Sequence, residues 1–390
     1  MEIAETARGI LERLVAFPTV SDRPNLDLVE WVGAWLGARG IEMHRVWNAE
    51  RTKASLFAQV GPAVSGGVVL SGHTDVVPVE GQEWHSDPFR LTERNGRLHG
   101  RGTCDMKGFD ALALAALAAA DARRGDLKHP LQIALSHDEE VGCLAAPALI
   151  SAMQKALPPP RAAIIGEPTM MQPVCGHKGG YGYDVHLRGY EVHSSLLHRG
   201  VSAVMQGARL IEWANRMNEA NAASPPGETA ALFDPPFTTL HVGRITGGTA
   251  HNITARDCRF VLAMRVLPDE DPADWRRAFL EEAERIEAAM RAVRPETGID
   301  ITEVFEVPAL RPEPDGAAET LVRRLTGENA RHYVSYGAEA GQFQQAGMSA
   351  IVCGPGNIAR AHQADEYLEI AQFEKGAAFM ARLIDDLCRE

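Results

Sequence analysis

GVVLSGHTD, residues 67–75, decides the fold: an apolar run that reads as a strand ends abruptly on His73 and Asp75. Three further segments repeat this plan. LQIALSHDEE (131–140) ends on Glu139 and Glu140, AAIIGEPT (162–169) delivers Glu167, and SAIVCGPGNIARAH (349–362) leads to His362. A glycine-flanked fifth piece, GRGTCDMKG (100–108), supplies Asp105. Open α/β sheets bind ligands at the carboxyl ends of their strands. Neighbouring parallel strands would therefore bring two histidines and several carboxylates into one pocket. Such carboxylates repel one another unless something strongly positive lies among them. The expected occupant is a pair of divalent metals.

The chain around these segments alternates helical and strand-like patterns. MEIAETARGILERLV lacks the basic region and apolar core of a signal peptide. It reads as an amphipathic helix to about residue 17, with Ile3, Ala7, Ile10, Leu11 and Leu14 on one face. A second helix is expected at about 26–38, followed by the strand-like IEMHRVW and SLFAQV. FDALALAALAAADARR, directly after Asp105, is apolar nearly all round and reads as a helix buried under a sheet. The fold class expected is α/β, a mixed, mostly parallel sheet flanked by helices.

Near residues 179–180 the texture changes. YGYDVHLRG alternates like a half-exposed strand, a helix follows at about 201–217, and residues 221–236, rich in Ala, Pro and Gly, read as a loop. Two strands, a long charged helix at about 271–293 and the strand-like DITEVFEVPAL come next. This β-α-β-β-α-β order is ferredoxin-like. A catalytic domain of residues 1–180 and 311–390 with an inserted α+β domain at 181–310 is the expected organisation, and 390 residues are long for one core.

Composition narrows the function. Thirty-nine basic against 52 acidic residues leave a net charge of −13, which argues against nucleic acid or an anionic membrane as the main partner. No run of about 18 uncharged apolar residues suggests a membrane span. The six cysteines show no C-x-x-C pair or regular spacing, which favours scattered thiols and a reducing cytoplasm. Cys104, beside Asp105, leaves a reactive thiol conceivable.

Each candidate ligand has a chemical rationale and a plainer alternative. Alternation along a strand points His73 and Asp75 the same way, and a carboxylate near a ligating imidazole commonly holds its other ring nitrogen. Asp105 in its tight turn would suit a bridging carboxylate, or equally a helix N-cap. Adjacent Glu139 and Glu140 are costly to bury unless cations neutralise them; one ligating a metal while the other handles a proton accounts for both. Asp138 reads as a supporting group. Pro168 turns the chain just after Glu167. His362, taken alone, would pass for a surface residue.

Taken together, SGHTDVVP, GRGTCDMKG, the Glu139–Glu140 pair, GEPT, HSS, GGTAHN and CGPGNIARAHQADEY resemble the co-catalytic zinc aminoacylase and carboxypeptidase family over nearly the whole chain. The resemblance implies two zinc ions per subunit, with cobalt or manganese as substitutes. One would take His73 and Glu167, the other Glu140 and His362. Asp105 would bridge them, with a cis peptide to Met106, and Asp75 would orient His73. Glu139 would be the general acid/base. His193 from a partner subunit would help stabilise the oxyanion, making the inserted domain a lid and homodimer contact. Arg265 would bind a substrate α-carboxylate, unless it is only a surface strand arginine. Asn252, Gly354 and Gly356 would line the pocket, Lys178 would hold an anionic group, and Glu339 a distal ammonium. The implied substrates are small N-acyl amino acids: acetyl removal from N2-acetyl-L-ornithine in arginine biosynthesis first, succinyl-diaminopimelate or dipeptide hydrolysis second. A metal-stabilised binding protein without turnover would leave Glu139 no task. The chain departs from relatives at LLHRG, which includes His198, and at Thr254.

Overall fold

The computed structural model describes residues 2–389 and divides into two compact units. One comprises residues up to Gly176, Leu310–Tyr333 and the chain from Ala338 on; the other comprises His177–Ala309 and Val334–Gly337. The insertion thus opens a few residues ahead of the expected 181 and includes a second short return at 334–337, which no change of composition marks.

The larger unit is built on an eight-stranded sheet. Its order is Met43–Trp47, Ala54–Val60, Leu131–Ser136, Gly67–His73, Pro160–Pro168, Ala350–Gly354, Val174–His177 and His332–Val334. The third to sixth strands run parallel, and antiparallel pairs flank them. These four parallel strands are the four apolar runs of the sequence, each buried along almost its whole length. Register places His73 opposite Ser136, so neighbouring tips end level.

Helix Lys107–Ala122 is buried from Lys107 through Leu117, as its all-round apolar sequence requires. It packs with Glu2–Val15 and Ile370–Leu387. Lys107 is tolerated there because its ammonium donates to the Leu14 and Phe17 carbonyls. Gly72 lets this helix approach the strand carrying His73: a Cβ at that position would overlap Asp110 Oδ1 and the Met106 methyl. Residues 71 and 72 face opposite sides of the sheet, so Ser71 looks away from this helix.

A three-stranded sheet of Tyr367–Glu369, Arg97–His99 and Thr92–Arg94 was not expected. It pairs Tyr367 with His99 and brings residue 366 against the Asp105 loop. The smaller unit has a four-stranded antiparallel sheet in the order Thr239–Gly247, Asp257–Val266, Gly179–Arg188, Gly298–Val307. Helices Ala203–Ala223 and Pro272–Val293 pack on it around Phe279, Trp213 and Tyr183, which completes the ferredoxin-like arrangement.

Candidate metal centre

Five side chains converge at the carboxyl ends of the four parallel strands. His73 Nε2 lies 3.2 Å from Asp105 Oδ1 and 3.8 Å from Glu167 Oε1. His362 Nε2 lies 3.2 Å from Asp105 Oδ2 and 3.0 Å from Glu140 Oε2. Asp105 therefore divides its two oxygens between two histidines, in a loop whose Asp105–Met106 peptide is cis. Ligand atoms of His73, Asp105 and Glu167 lie within 4.8 Å of one another, and so do those of Asp105, Glu140 and His362. Both donor sets are imidazole plus carboxylate, which suits zinc, cobalt or manganese. Glu140 Oε1 is buried with no hydrogen-bond partner among the described residues, as expected of an oxygen directed at a cation.

The electrostatics show how uneasy this cluster is on its own. Burial, with Asp105 and Glu139 nearby, pushes the Glu167 carboxyl well above its ordinary value. Burial, then Asp105, raises Glu140. Burial alone would raise Asp105 too, but hydrogen bonds from His362 and His73 hold it well below the carboxylate range. His362 is pushed up to about 10 by Asp105 and Glu140. His73 is raised despite its burial, by Asp105 and the charges of Glu139 and Glu167. Both imidazoles are thus pushed toward their protonated forms, and a divalent metal can take over the stabilising role of those protons.

Glu139 stands beside these five side chains. Its Oε2 is 4.0 Å from His73 Nε2, and its Oε1 accepts from the Cys143 thiol at 3.2 Å. Burial pushes its pKa to about 8, with Glu140, Glu339 and Asp105 adding to the rise and His73 opposing it. It is a carboxyl poised to exchange a proton near neutrality.

Asp75 does more than the sequence suggested. Its backbone carbonyl, at 2.9 Å, faces His73 Nδ1, whereas its carboxylate is 3.6 Å away at the nearest. That carboxylate instead accepts from the Glu139 and Glu140 N–H groups and the Ser21 hydroxyl. Asp75 thus meets the His73 ring with its main chain and caps the next strand tip with its side chain. Asp138 turns outward to Lys53, 2.5 Å away.

A buried ion pair that sequence reading missed ties the His362 segment to the Asp105 loop. Arg101 and Glu366, each 1 % exposed, pair at 2.8 Å. Glu366 Oε1 accepts from the Cys104 and Asp105 N–H groups. Arg101 donates to Gln82 Oε1, and Gln82 Nε2 donates to the His362 carbonyl. The signal lay in the motifs themselves, since Arg101 and Glu366 flank Asp105 and His362. Loss of an outer partner of this kind costs roughly 10–100-fold in metal affinity, and Glu366→Gln is expected to weaken zinc binding by that factor in a chelator-competition titration. Unchanged affinity would make the pair a purely structural feature.

Several expected site residues prove to have other surroundings. Glu339 is buried, with its carboxylate on the Ser71 and Ser136 hydroxyls, so it presents no surface to a substrate ammonium. Lys178 is buried and its ammonium donates to the Pro235 and Phe237 carbonyls, both at 2.7 Å; it is a strut, and burial lowers its pKa to about 8. The Gly354 carbonyl accepts from Thr169 and Met171, and the Gly356 carbonyl from Met170, so both stitch the Glu167 strand end to the following loop. The Cys104 thiol is buried and its pKa is raised, by burial first and then Glu366, which removes it as a nucleophile.

Within the smaller unit, His193 is exposed; its Nδ1 accepts from the Ser195 N–H and lies 2.8 Å from the Ser195 hydroxyl. Asn252 adjoins it through a hydrogen bond from Ser194 N to its carbonyl. Arg265 stands exposed on Asp257–Val266, its guanidinium beside Gly180. Thr254, one of the departures, bridges Val192 N and the Tyr190 carbonyl, a structural task.

Fold and site together define a metal-dependent hydrolase. The chain belongs to the peptidase family M20/M25/M40, whose model matches residues 69–386. It is 36 % identical over 393 residues to an acetylornithine deacetylase of Myxococcus xanthus, covering 98 % of this chain and 97 % of that one. Among solved structures it resembles an M20-family metallo-carboxypeptidase from Sulfolobus solfataricus, at TM-score 0.80 and 15 % identity over 98 % of this chain and 99 % of that one. It also resembles a dinuclear metal-binding M20 peptidase from Bacillus subtilis, at TM-score 0.65 and 13 % identity over 98 % and 97 %. No helix among the described residues is long and apolar enough to cross a membrane.

Proposed function

We propose that this protein is a zinc-dependent amidohydrolase that removes the acetyl group of N2-acetyl-L-ornithine, giving ornithine and acetate, as a cytoplasmic step of arginine biosynthesis. The observation that carries the chemistry is the division of Asp105 between two histidine–carboxylate sets with Glu139 alongside. The likeness to the M. xanthus acetylornithine deacetylase supports the choice of substrate. His73, Glu167 and Asp105 would hold one zinc, and Asp105, Glu140 and His362 the other. Zinc bound there supplies Lewis acidity, polarising a carbonyl and acidifying a water.

The chain's own groups move the proton. Glu139 takes one from the water that attacks the acyl carbon and later passes it to the departing amine nitrogen, so the water's hydroxyl ends on acetate and its proton on ornithine. Asp75 fixes the backbone from which Glu139 reaches. His193, an exposed imidazole, suits the oxyanion of a partner chain in a homodimer formed through the inserted domain. Arg265, with Asn252, suits the α-carboxylate of the amino acid.

A related deacylase, acting on succinyl-diaminopimelate or a dipeptide, would keep the same machinery. Purified protein assayed against N2-acetyl-L-ornithine and N-succinyl-LL-diaminopimelate, with zinc measured on the same samples, separates the two. Ornithine release is expected to track zinc content, to vanish after chelation and to return on zinc addition. Succinate released at a comparable rate would move the assignment to the second reading.

A further inference from the structure

Glu339 is a buried acid beside this site that lies outside both donor sets. It is 1 % exposed and makes no ion pair among the described residues. Its Oε2 accepts from Ser71 Oγ at 3.3 Å and its Oε1 from Ser136 Oγ in a short contact. Both serines sit on strand ends that carry the chemistry. Ser71 precedes His73 by two positions and so shares its face. Ser136 pairs in register with His73 and lies three residues before Glu139.

Glu339 opens the short helix Ala340–Gln345. Gln342, on the same helix, donates to the Cys143 carbonyl at 3.1 Å, and the Cys143 thiol in turn holds Glu139. One short segment from late in the chain therefore grips two parallel strand ends and the loop that follows the second. A carboxyl buried without a cation is costly, and an apolar residue would fill the space more cheaply if packing were all that was needed.

We propose that Glu339 is a positioning residue that locks the ends of these two strands together, and so fixes His73 relative to the Glu139–Glu140 tip. The kinetic part of its test rests on the hydrolase reading above; the zinc titration does not. Zinc affinity, kcat and KM are measured for wild type, Glu339→Ala and Glu339→Gln, using N2-acetyl-L-ornithine, whose side chain ends in an ammonium, and N-acetyl-L-methionine, whose side chain is uncharged.

Misplacing reacting groups by about 1 Å can cost on the order of 100-fold, so Glu339→Ala is expected to lose roughly 10–100-fold in kcat on both substrates, with KM little changed. Its zinc affinity should fall as well. Glutamine can accept from one serine and donate to the other, so Glu339→Gln should restore most of the loss. Wild-type kcat and zinc affinity in Glu339→Ala would overturn the proposal. So would a defect confined to KM for N2-acetyl-L-ornithine, which would return Glu339 to ammonium binding.

Should the alanine variant fail to fold, Ser71→Ala and Ser136→Ala each remove one hydroxyl and carry the same expectation at smaller size; wild-type kcat in both overturns it. If the wild-type protein turns over neither substrate, the proposed function fails while the zinc titration still decides the role of Glu339.

Discussion

Glu139→Ala is expected to retain both metals and lose roughly 10²–10⁴-fold in kcat, the range that a positioned proton carrier contributes. The reason for expecting both results lies in how the strand tip divides its two glutamates. Glu140 points an oxygen at His362 and leaves the other buried with no hydrogen-bond partner among the described residues, whereas Glu139 lies 4.0 Å from His73 and is held by a thiol. Adjacent residues at a turning strand end project differently, so one can ligate while the other stays free to exchange protons.

Burial keeps Glu139 near a pKa of about 8, and positive charge at the neighbouring ligand positions would draw it down toward the working range of a base. The ionised form accepts the water's proton, so the acid limb of kcat/KM in wild type should rise with pH, and Glu139→Ala should lose that limb. Metal analysis by mass spectrometry on the assayed sample separates this from a ligand defect. An alanine variant with its metals and full activity would remove Glu139 from the mechanism; one without metals would make it a ligand.

The parallel core was legible because its signals are local. An apolar run that stops on an acid or histidine is visible in nine residues, and four such runs implied the four central strands. What escaped depends on partners far along the chain. Glu339 and Lys178 showed only their charges in the sequence; what satisfies those charges is serines up to 268 positions away and carbonyls 57 and 59 positions away. A charge next to a motif reads as a ligand contact until burial shows it to be a tie.

The three-stranded sheet was missed for a different reason. Strands of three residues are too short to display alternation, although Asn95 and Gly96, both with positive φ, carried a turn signal between two of them. That omission concealed the Arg101–Glu366 pair, because only the pairing of Tyr367 with His99 brings Glu366 to the Asp105 backbone. Long-range polar ties of this kind have no periodicity to read.

Asp105→Ala is expected to be the most damaging single change at the centre, because one carboxylate serves both donor sets. Its oxygens lie 3.2 Å from each of two histidine Nε2 atoms, and each set falls to one imidazole and one carboxylate without it. Metal affinity should drop by more than the roughly 10–100-fold that loss of an outer partner costs, at both positions together. Activity should fall with it and should not return on adding zinc at concentrations that saturate wild type. A change at His362 or Glu167 touches one set only and should spare part of the zinc.

Thermal unfolding provides a reading independent of turnover. A metal present at about 1,000 times its dissociation constant stabilises the folded state by about 4 kcal/mol, so wild type should melt markedly higher with zinc while Asp105→Ala shows little zinc-dependent shift. Proton release gives a second reading. His362 is held near a pKa of about 10 by Asp105 and Glu140, so zinc must displace its proton, and wild-type zinc binding should weaken as pH falls. Without Asp105 one of the two groups that raise this ring is gone, its pKa drops, and fewer protons should be released per zinc bound in calorimetry across buffers of different ionisation enthalpy. An alanine variant that binds two zinc ions per chain with wild-type affinity would show that the two donor sets do not depend on a shared carboxylate.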